Sequence, residues 1–378
     1  MRTVKYFYFA WLALVGVALG AVSCAKTLGP EEKLPPGEGK IVPIAFNAHE
    51  LSGASTKVAG VTEAQEKAIV RWAVFAFDNE YGWVSSGSVE GNGSIQIELR
   101  EKRSYTLYAV ANYPTSGAGA IIPGSVKKAS DITAKVSSLS DNAVGSLVMY
   151  GTESFTTAPI TYSDPEHMNP IPQSKSISVR RLVARLDVRK MSVDFSEHPY
   201  LASKTFVLKH IYVTNAYRSS RMGSDYSVSE LSSNRTAWYN TMGWHGAESP
   251  ESAMDALLGV RDINAAVTPT SPYSVAQSFY VYPNATPKSQ DVHQTASWTR
   301  RCTRMVIEAT WDGETDYYII NVPAVERNRI YALDNLVIKG RGSKDPENFD
   351  PWPEAIDVSF IVAEEEWTDP LINVTELS

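Results

Sequence analysis

Short strand-like runs of apolar residues recur along the chain from residue 41 onward, and they dominate what it can fold into. Val42, Ile44, Phe46 and Ala48 alternate with other residues at a period of two, which places them on one face of a β-strand. Clusters of Gly, Pro, Asn, Asp and Ser separate these runs and favour turns. Short strands at this spacing predict an all-β chain, with a minor helical excursion within residues 220–260.

The length and composition agree with a folded β-protein. The chain has 378 residues, enough for about two domains, and 43% of its residues are hydrophobic against 20% charged. Its 19 Tyr, 11 Phe, 23 Gly and 21 Pro favour strands and turns over a helical bundle. We therefore expect two β-sandwiches in series, with a boundary near residue 180 that follows a Pro- and Ser-rich loop at residues 157–174.

The charge and the cysteine count exclude several classes of protein. Lys and Arg total 35 against 42 Asp and Glu, for a formal net charge of -7, so the chain lacks a broad cationic surface for nucleic acid. Two cysteines are too few for a disulfide scaffold, a Cys-rich zinc site or an iron–sulfur cluster. Cys302 lies in a strand-like run, where we expect a buried or half-buried thiol without a disulfide.

The first 24 residues have the pattern of an export signal. Arg2 and Lys5 precede the uncharged stretch 6–23, which ends in small residues before Cys24. Residues 21–24, Ala-Val-Ser-Cys, resemble a bacterial lipobox, in which the cysteine thiol is acylated and the chain is cut just before it. The alternative is a chance cysteine beside a plain signal. We expect residues 1–23 to be removed and Cys24 to carry the lipid.

The segment after Cys24 is interpreted as a tether. Residues 25–40 are rich in Pro, Gly and Glu, which is typical of a flexible linker between lipid and fold. The first strand begins just after it. Pro43 has no N–H to donate to a sheet ladder, so this strand should lie at a sheet edge or detach readily.

No group of residues in the sequence predicts catalysis or cofactor binding. The six histidines lack metal-ligand spacing, no G-x-S-x-G elbow occurs, and residues 340–342 lack the context of a dinucleotide loop. The glutamates at 364–366 are more simply a solvated strand end than a carboxylate site. A basic run is expected to face solvent from its strand, namely Arg180, Arg181, Arg185 and Arg189. We predict no enzyme, no catalytic residue, no metal site and no cofactor.

Several segments occur in a specific order along nearly the whole chain. They are the lipobox, residues 41–47, 67–78, 108–112 and 179–186, and a stronger group near the end at 326–331, 338–342, 345–348, 356–362 and Trp367. Together they resemble the fimbrillin family, the pilins of Gram-negative fimbriae that are exported as lipoproteins. Residues 179–186 look like the segment that opens the second domain of these pilins.

The resemblance implies two transthyretin-like β-sandwich domains in tandem and a subunit that polymerises. In the family, a trypsin-like protease cuts after a basic residue that follows the first strand. The matching residue in this chain is Lys57, with Val58 as the new N-terminus, whereas the family's usual residue is Arg. The implied division is a signal peptide at 1–23, a tether and removable strand at 24–57, an N-terminal sandwich at 58–180 and a C-terminal sandwich at 181–378.

Removal of the first strand would expose unpaired N–H and C=O groups beside an apolar slot, which a strand from another chain can fill. The removed strand would take its four alternating side chains with it, Val42, Ile44, Phe46 and Ala48. The predicted donor strand imitates them near the end of the chain with Ile356, Val358, Phe360 and Val362. Residues 371–375 are a second candidate. The alternative is that both runs are ordinary strands of the second domain, and both interpretations hold if these strands change partner on assembly.

The resemblance implies a structural subunit of the shaft of a cell-surface fimbrium, held first at the outer membrane by lipid on Cys24. Its expected partners are other copies of itself, related fimbrial subunits and the maturation protease. One alternative is a tip or accessory adhesin for a host protein or glycan, with sugar-stacking candidates that more commonly pack in a core, Trp238, Trp244 and Trp298. Another is an uncut outer-membrane anchor, because Lys57 replaces the family's Arg and no arginine occurs between Arg2 and Arg71.

Overall fold

A computed structural model gives the structure of the protein and confirms an all-β chain with few helices. It describes residues 40–49, 63–91, 93–164, 169–173, 176–243, 247–287, 300–347, 358–359, 362–366 and 371–373. The α-helices of this part are short: α1 (Glu63–Lys67), α2 (Ser130–Thr133) and α3 (Asp255–Leu258). Single 3₁₀ turns lie at Pro123–Ser125, Leu139–Asp141, Pro199–Leu201, Arg235–Ala237 and Ser252–Met254.

The strands are numbered in chain order. Those that begin before residue 182 are β1 (Ile41–His49), β2 (Arg71–Asp78), β3 (Gly82–Glu90), β4 (Ile95–Arg100), β5 (Ser104–Ala111), β6 (Val136–Ser138), β7 (Met149–Thr156), β8 (Tyr162–Asp164), β9 (Asn169–Pro170), β10 (Ile177–Ser178) and β11 (Arg180–Arg181). The later strands are β12 (Ala184–Val188), β13 (Met191–Val193), β14 (Phe206–Thr214), β15 (Ala216–Tyr217), β16 (Ser219–Arg221), β17 (Trp238–Tyr239), β18 (Arg261–Ala266), β19 (Gln277–Val281), β20 (Thr303–Trp311), β21 (Glu314–Val322), β22 (Arg329–Leu333), β23 (Leu336–Ile338), β24 (Val358–Ser359), β25 (Val362–Glu366) and β26 (Leu371–Asn373).

Two sheets form the N-terminal half of the protein. One has the order β10-β26-β1-β4, and the other has the order β11-β7-β5-β2-β3. They come together at Gly87 in β3, because a Cβ built on this residue would lie only 2.2 Å from Cγ2 of Ile95 in β4. A glycine in the middle of a strand therefore lets the two sheets pack closely at this point. The first sheet also contains β26, so it joins segments from opposite ends of the chain.

Three larger sheets form the C-terminal half. Their strand orders are β19-β12-β22-β25, β13-β23-β24 and β18-β14-β20-β21. The pairs β12–β22 and β13–β23 are parallel, whereas β14, β20 and β21 form long antiparallel ladders. The small strand β16 pairs with β6, which ties the segment after β15 back to the N-terminal half. Most of the helical excursion expected at 220–260 is irregular, with α3 at its end.

The buried core runs through both halves. The strand β4 shows the simple alternation, since Ile95, Ile97 and Leu99 are buried and the two residues between them are exposed. A single cluster of contacting buried side chains includes Val42 in β1 and extends as far as Ile338 in β23. The sheets therefore change from one half to the other near residues 181–184 without an interruption of the core, and the division into two domains stays a prediction.

The basic run at 180–189 was expected to face solvent, and this is wrong for two of its members. Arg181 is 0% exposed and Arg185 is 4% exposed, while Arg180 is exposed and Arg189 is partly so. A buried guanidinium requires hydrogen-bonding partners to offset its lost hydration. Those partners come from a distant part of the chain and are described below.

Candidate functional site

The first described strand, β1, pairs with two other strands, each along a different part of its length. Its first six residues pair antiparallel with β4, from Ile41 opposite Arg100 to Phe46 opposite Ile95. Its last three residues, including Ala48 opposite Ile372, pair with β26. Both ends of the strand thus take part in one sheet, and the removal of β1 would leave β4 without its ladder partner.

The side chains of β1 fill part of the core. Val42, Ile44 and Phe46 are each 0% exposed, and Pro43 and Ala45 between them are also buried. Full burial of an aliphatic or aromatic side chain stabilises a fold by about 2 kcal/mol. Since Pro43 and Ala45 alternate with these residues, they lie on the opposite face, and the structure therefore covers β1 on both faces along residues 42–46.

The edge of β1 opposite β4 is only partly paired. In its first half, the sole strand-type contact among the described residues is a bridge from Ile44 to Gln173, where the Gln173 N–H donates to the carbonyl of Pro43 at 3.2 Å. The N–H and C=O of a strand residue point to the same edge, and the Pro43 carbonyl faces Gln173. The N–H that proline lacks is therefore missing from this edge, and the ladder with β4 on the other edge loses no donor. The expected edge position of this strand agrees with its first half and not with its second, which β26 covers.

A carboxylate holds the N-terminal end of β1. Glu101 Oε1 accepts from the backbone N–H of Lys40 at 3.2 Å, and its own N–H donates to the Lys40 carbonyl at 2.9 Å. The other oxygen, Oε2, accepts from the N–H of Ile160 at 2.7 Å. The N–H groups of Ile160 and then Lys40 lower the pKa of Glu101 from its ordinary value, because they stabilise the charged form.

The predicted processing residues lie outside the described part of the chain. Cys24, Lys57 and Val58 are among these residues, so the structure gives no geometry for them. The described chain stops at His49, the end of β1, and resumes at Glu63, the start of α1. Those two elements are therefore the nearest described neighbours of the predicted cut.

Helix α1 is bound to the C-terminal half through buried charges. Glu66 is 3% exposed, and both of its carboxylate oxygens accept from Nη1 of Arg185, at 2.8 and 2.7 Å. The hydroxyl of Tyr280 donates to the same carboxylate. Arg181 completes the contact, since its Nε donates to the backbone carbonyl of Glu66 at 3.0 Å. The first helix after the predicted cut is therefore fixed to β11, β12 and β19.

A second carboxylate extends this buried network. Asp187 is 0% exposed, accepts from Nη2 of Arg185 at 3.1 Å, and accepts from the hydroxyl of Ser278 at 2.6 Å. Burial raises the pKa of Asp187 above its ordinary value, and the favourable charge of Arg185 offsets this only in part. Burial beside Glu66 also raises the pKa of Tyr280. The phenol therefore stays protonated and keeps donating its hydrogen bond at neutral pH.

Two of the predicted donor residues lie in described strands. Val358 is in β24, which pairs with β23, and Val362 is in β25, which pairs with β22. Ile356 and Phe360 lie outside the described residues. In the single chain these strands complete C-terminal sheets, as in the alternative interpretation, while β26 reaches the N-terminal sheet beside β1. The role of the run as a donor stays a prediction.

Other sites considered from the sequence have structural explanations. Trp238 is 0% exposed, lies edge-on to Tyr217, and donates its indole N–H to the Ser232 carbonyl at 2.7 Å, so it packs in a core and offers no face to a sugar. Trp244 and Trp298 lie outside the described residues. Cys302 is fully buried, as expected. Arg341 in the Gly-Arg-Gly turn is held by the buried carboxylate of Asp316.

Neither a metal cluster nor a membrane-spanning helix was found in the part of the chain that the structure describes. No three His, Cys, Asp or Glu side chains of that part come together as metal ligands. None of its helices has the length and apolarity needed to cross a bilayer. A polar cavity of about 450 Å³ lies near the N-terminal end of β1, lined by carboxylates and basic residues together, among them Asp78, Glu101 and Arg103.

Comparison with solved structures identifies the fold. A fimbrilin from Porphyromonas gingivalis is similar with a TM-score of 0.57 and 17% identity, over 86% of this chain and 97% of that one. The chain has the fold of the fimbrillins. A candidate cell adhesion protein from Parabacteroides distasonis is similar with a TM-score of 0.56 and 16% identity, over 88% and 99% of the two chains. Another, from Bacteroides eggerthii, has a TM-score of 0.55 and 17% identity, over 88% and 97%.

Sequence comparison adds no further relative. The sequence matches no protein-family model and none of the curated proteins with which it was compared. The fold likeness nevertheless confirms the resemblance to fimbrillins that the ordered segments indicate. At these identities the likeness extends to the fold, and the function of this fimbrillin-like chain is argued from its own site.

Three residues around β1 and α1 have no signal in the sequence. Glu66 and Glu101 are ordinary glutamates in polar stretches, and Gln173 stands in a loop rich in Pro and Ser. Only the unusual density of arginines at 180–189 could have indicated buried ion pairs, because four cations so close together need carboxylates nearby.

Proposed function

We propose that this chain is a structural subunit of a cell-surface fimbrium that polymerises by strand exchange after proteolytic removal of β1. The observation that carries the proposal is the position of β1. It is the first described strand, it contributes Val42, Ile44 and Phe46 to the core, and its first half pairs with a described strand on one edge only. A cut between His49 and Glu63 would separate it from the chain without breaking any other strand that the structure describes.

The vacated place would be an acceptor for another strand. Loss of β1 removes the ladder partner of β4 and exposes Ile95, Ile97 and Leu99, which are at most 3% exposed now. Unpaired backbone groups and bare apolar surface both raise the free energy of the cut chain. A strand from a second copy, bound by β-augmentation, would restore both the ladder and the burial.

The cut is proposed after Lys57, so that Val58 becomes the N-terminus and a trypsin-like protease is the maturation enzyme. The buried contacts of Glu66 with Arg185 and Tyr280 support this place, because they hold α1 to the C-terminal half independently of β1. The cut chain would then begin with a short segment leading into a fixed helix. Before the cut, lipid on Cys24 would hold the subunit at the outer membrane.

The donor is proposed to be the run that contains Ile356, Val358, Phe360 and Val362. In the single chain, Val358 and Val362 lie in strands that pair with β23 and β22, so donation requires these strands to change partner. Among the described residues, β24 makes two register pairs with β23, so the exchange of this described segment would break few hydrogen bonds.

N-terminal sequencing of this protein from sheared surface fibres would test the proposal. Recovery of chains beginning at Val58 is the expected result. Fibres whose subunits retain residue 41 would contradict strand removal. Recovery of intact chains from the outer membrane alone, with none in fibres, would favour the uncut anchor, which the presence of Lys57 in place of Arg keeps as the second candidate.

A further inference from the structure

We propose that the place of β1 is a two-walled slot, whose second wall is a clasp formed by Glu101, residues 157–160 and Gln173. This inference deepens the proposed function, because the same clasp would hold whichever strand occupies the slot. The first wall is the β4 ladder. The clasp contacts the strand on the other edge and at its N-terminal end, and it recognises backbone groups.

Gln173 is fixed so that its backbone N–H faces the slot. Its side-chain amide pairs with the backbone of Ala158, accepting from the Ala158 N–H at 2.8 Å and donating to the Ala158 carbonyl at 2.7 Å. Both polar atoms of the side chain are thereby used to hold the loop ends together. The Gln173 N–H remains for the strand, and it donates to the Pro43 carbonyl. The Gln173 N–H is thus a hydrogen-bond donor of fixed orientation, on an edge of β1 that has few other partners among the described residues.

Glu101 links the strand end to the loop. One oxygen of its carboxylate accepts from Lys40 in the strand, and the other accepts from Ile160 in the loop. Hydrogen bonds from N–H groups to a charged carboxylate are stronger than those to a neutral oxygen. Because one carboxylate makes both contacts, it fixes the position of the loop relative to the end of the strand. Thr157 adds to this anchor, since its hydroxyl donates to the Arg100 carbonyl at 2.5 Å.

The burial of Pro43 and Ala45 gives the slot a size requirement. Both residues are buried although they alternate with the core residues Val42, Ile44 and Phe46. Small side chains therefore suit these two positions, because the face on which they lie is covered. If the proposed donor takes the same register, Asp357 and Ser359 occupy them. Ser359 suits such a covered position, whereas Asp357 requires a hydrogen-bonding partner there.

Amide hydrogen exchange of the uncut, full-length protein tests the clasp without any need for cutting or polymerisation. Exchange through local opening reports how firmly a strand is held. We expect Glu101→Gln and Gln173→Ala each to speed the exchange of the amides of residues 41–46 about tenfold, the factor that corresponds to about 1.4 kcal/mol. Amides of β20, which lies in the other half, should be unchanged.

Matched substitutions on the first wall provide the control. Glu98→Gln and Gln96→Ala change the same side-chain types on exposed positions of β4, opposite Pro43 and Ala45. They should leave the exchange of β1 unchanged. Equal exchange of β1 in all four variants would overturn the proposal, and so would an increase confined to β20. If the clasp variants respond but surface fibres retain residue 41, the clasp stands and the proposed function fails.

Discussion

The buried arginines Arg181 and Arg185 connect parts of the chain that are far apart in sequence. Both contact Glu66 in α1, and Arg185 also pairs with Asp187. The sequence predicted neither the burial nor the partner, because a run of arginines on a strand is commonly solvated. Burial of the Arg185 charge is tolerated because the carboxylates of Glu66 and Asp187 offset it, and the removal of one of them should therefore be costly.

We expect Glu66→Ala to lower the free energy of unfolding by about 3 kcal/mol, since it leaves Arg185 with one buried carboxylate and Tyr280 without its acceptor. Denaturant unfolding measures this loss. The matched control is Glu90→Ala, which removes a glutamate from an ion pair with Arg71 whose side chains are 74% and 30% exposed. That change should cost less than about 1 kcal/mol. Equal losses in the two variants would contradict the structural role of the buried pair.

At the scale of elements, the first strand is the part whose attachment should depend on pH. The pKa of Glu101 is lowered in the folded protein from its ordinary value of 4.5, so the charged form contributes stability above that value. This contribution is lost as the pH falls below 4.5 and through the lowered pKa. We expect amide exchange of residues 41–46 to rise over this range, relative to strands of the other half. In Glu101→Gln the rise should be absent, and its persistence would assign the effect to another acid.

The predicted donor strand makes a second prediction at this scale. Phe360→Asp and Val358→Asp would each force a charge into an apolar slot, at about 3 kcal/mol or more. Polymerisation of purified, cut subunits should fail in each variant, while the monomer stays soluble. Size-exclusion chromatography would show whether the monomer stays soluble, and electron microscopy would show whether fibres form.

Two outcomes would contradict the assignment of residues 356–362 as the donor strand. Unfolding of the Phe360→Asp monomer would make the run an ordinary core strand, and normal fibres would make it an exposed one. A cysteine pair gives an independent check. Subunits that carry both Val358→Cys and Ile97→Cys should form covalent ladders of multimers if residue 358 of one subunit enters the slot beside β4 of the next.

The strand with a clear period of two at 42–48 was predicted from the sequence and corresponds to β1. The strand β3 was missed because its sequence, GWVSSGSVE, is polar and contains a central glycine. It is a strand because β2 offers a ladder and Gly87 fits against Ile95, neither of which is visible locally. The partners of Glu101 and Gln173 were missed because they, too, lie far from these residues in the sequence.

For the whole molecule, processing is the step on which the proposed function depends. Lys57→Ala removes the basic residue that a trypsin-like protease would need. We expect subunits of this variant to keep β1 and to be absent from fibres, because the slot stays occupied. Immunoblots of sheared fibres and of outer membranes measure the distribution. Lys57→Arg is the matched control and should assemble normally, and full-length fibres from Lys57→Ala would move the cut elsewhere.

Delivery to the membrane is a separate property of the whole chain. If Cys24 carries lipid, Cys24→Ala should abolish labelling by a clickable fatty acid and prevent retention at the outer membrane. Cys302→Ala is the matched control, because this buried thiol should carry no lipid and its removal should leave labelling intact. Normal labelling of the Cys24→Ala protein would end the lipoprotein hypothesis.

The pairing of β1 with β26 also imposes an order on how the protein is made. Residues 47–49 are made more than 300 residues before their sheet partners at 371–373. Contacts of such large sequence separation form late and slow the folding of a β-protein. The N-terminal sheet therefore stays incomplete until residues 371–373 have been made, and a chain stalled before residue 371 would carry an open sheet edge that exposes it to aggregation.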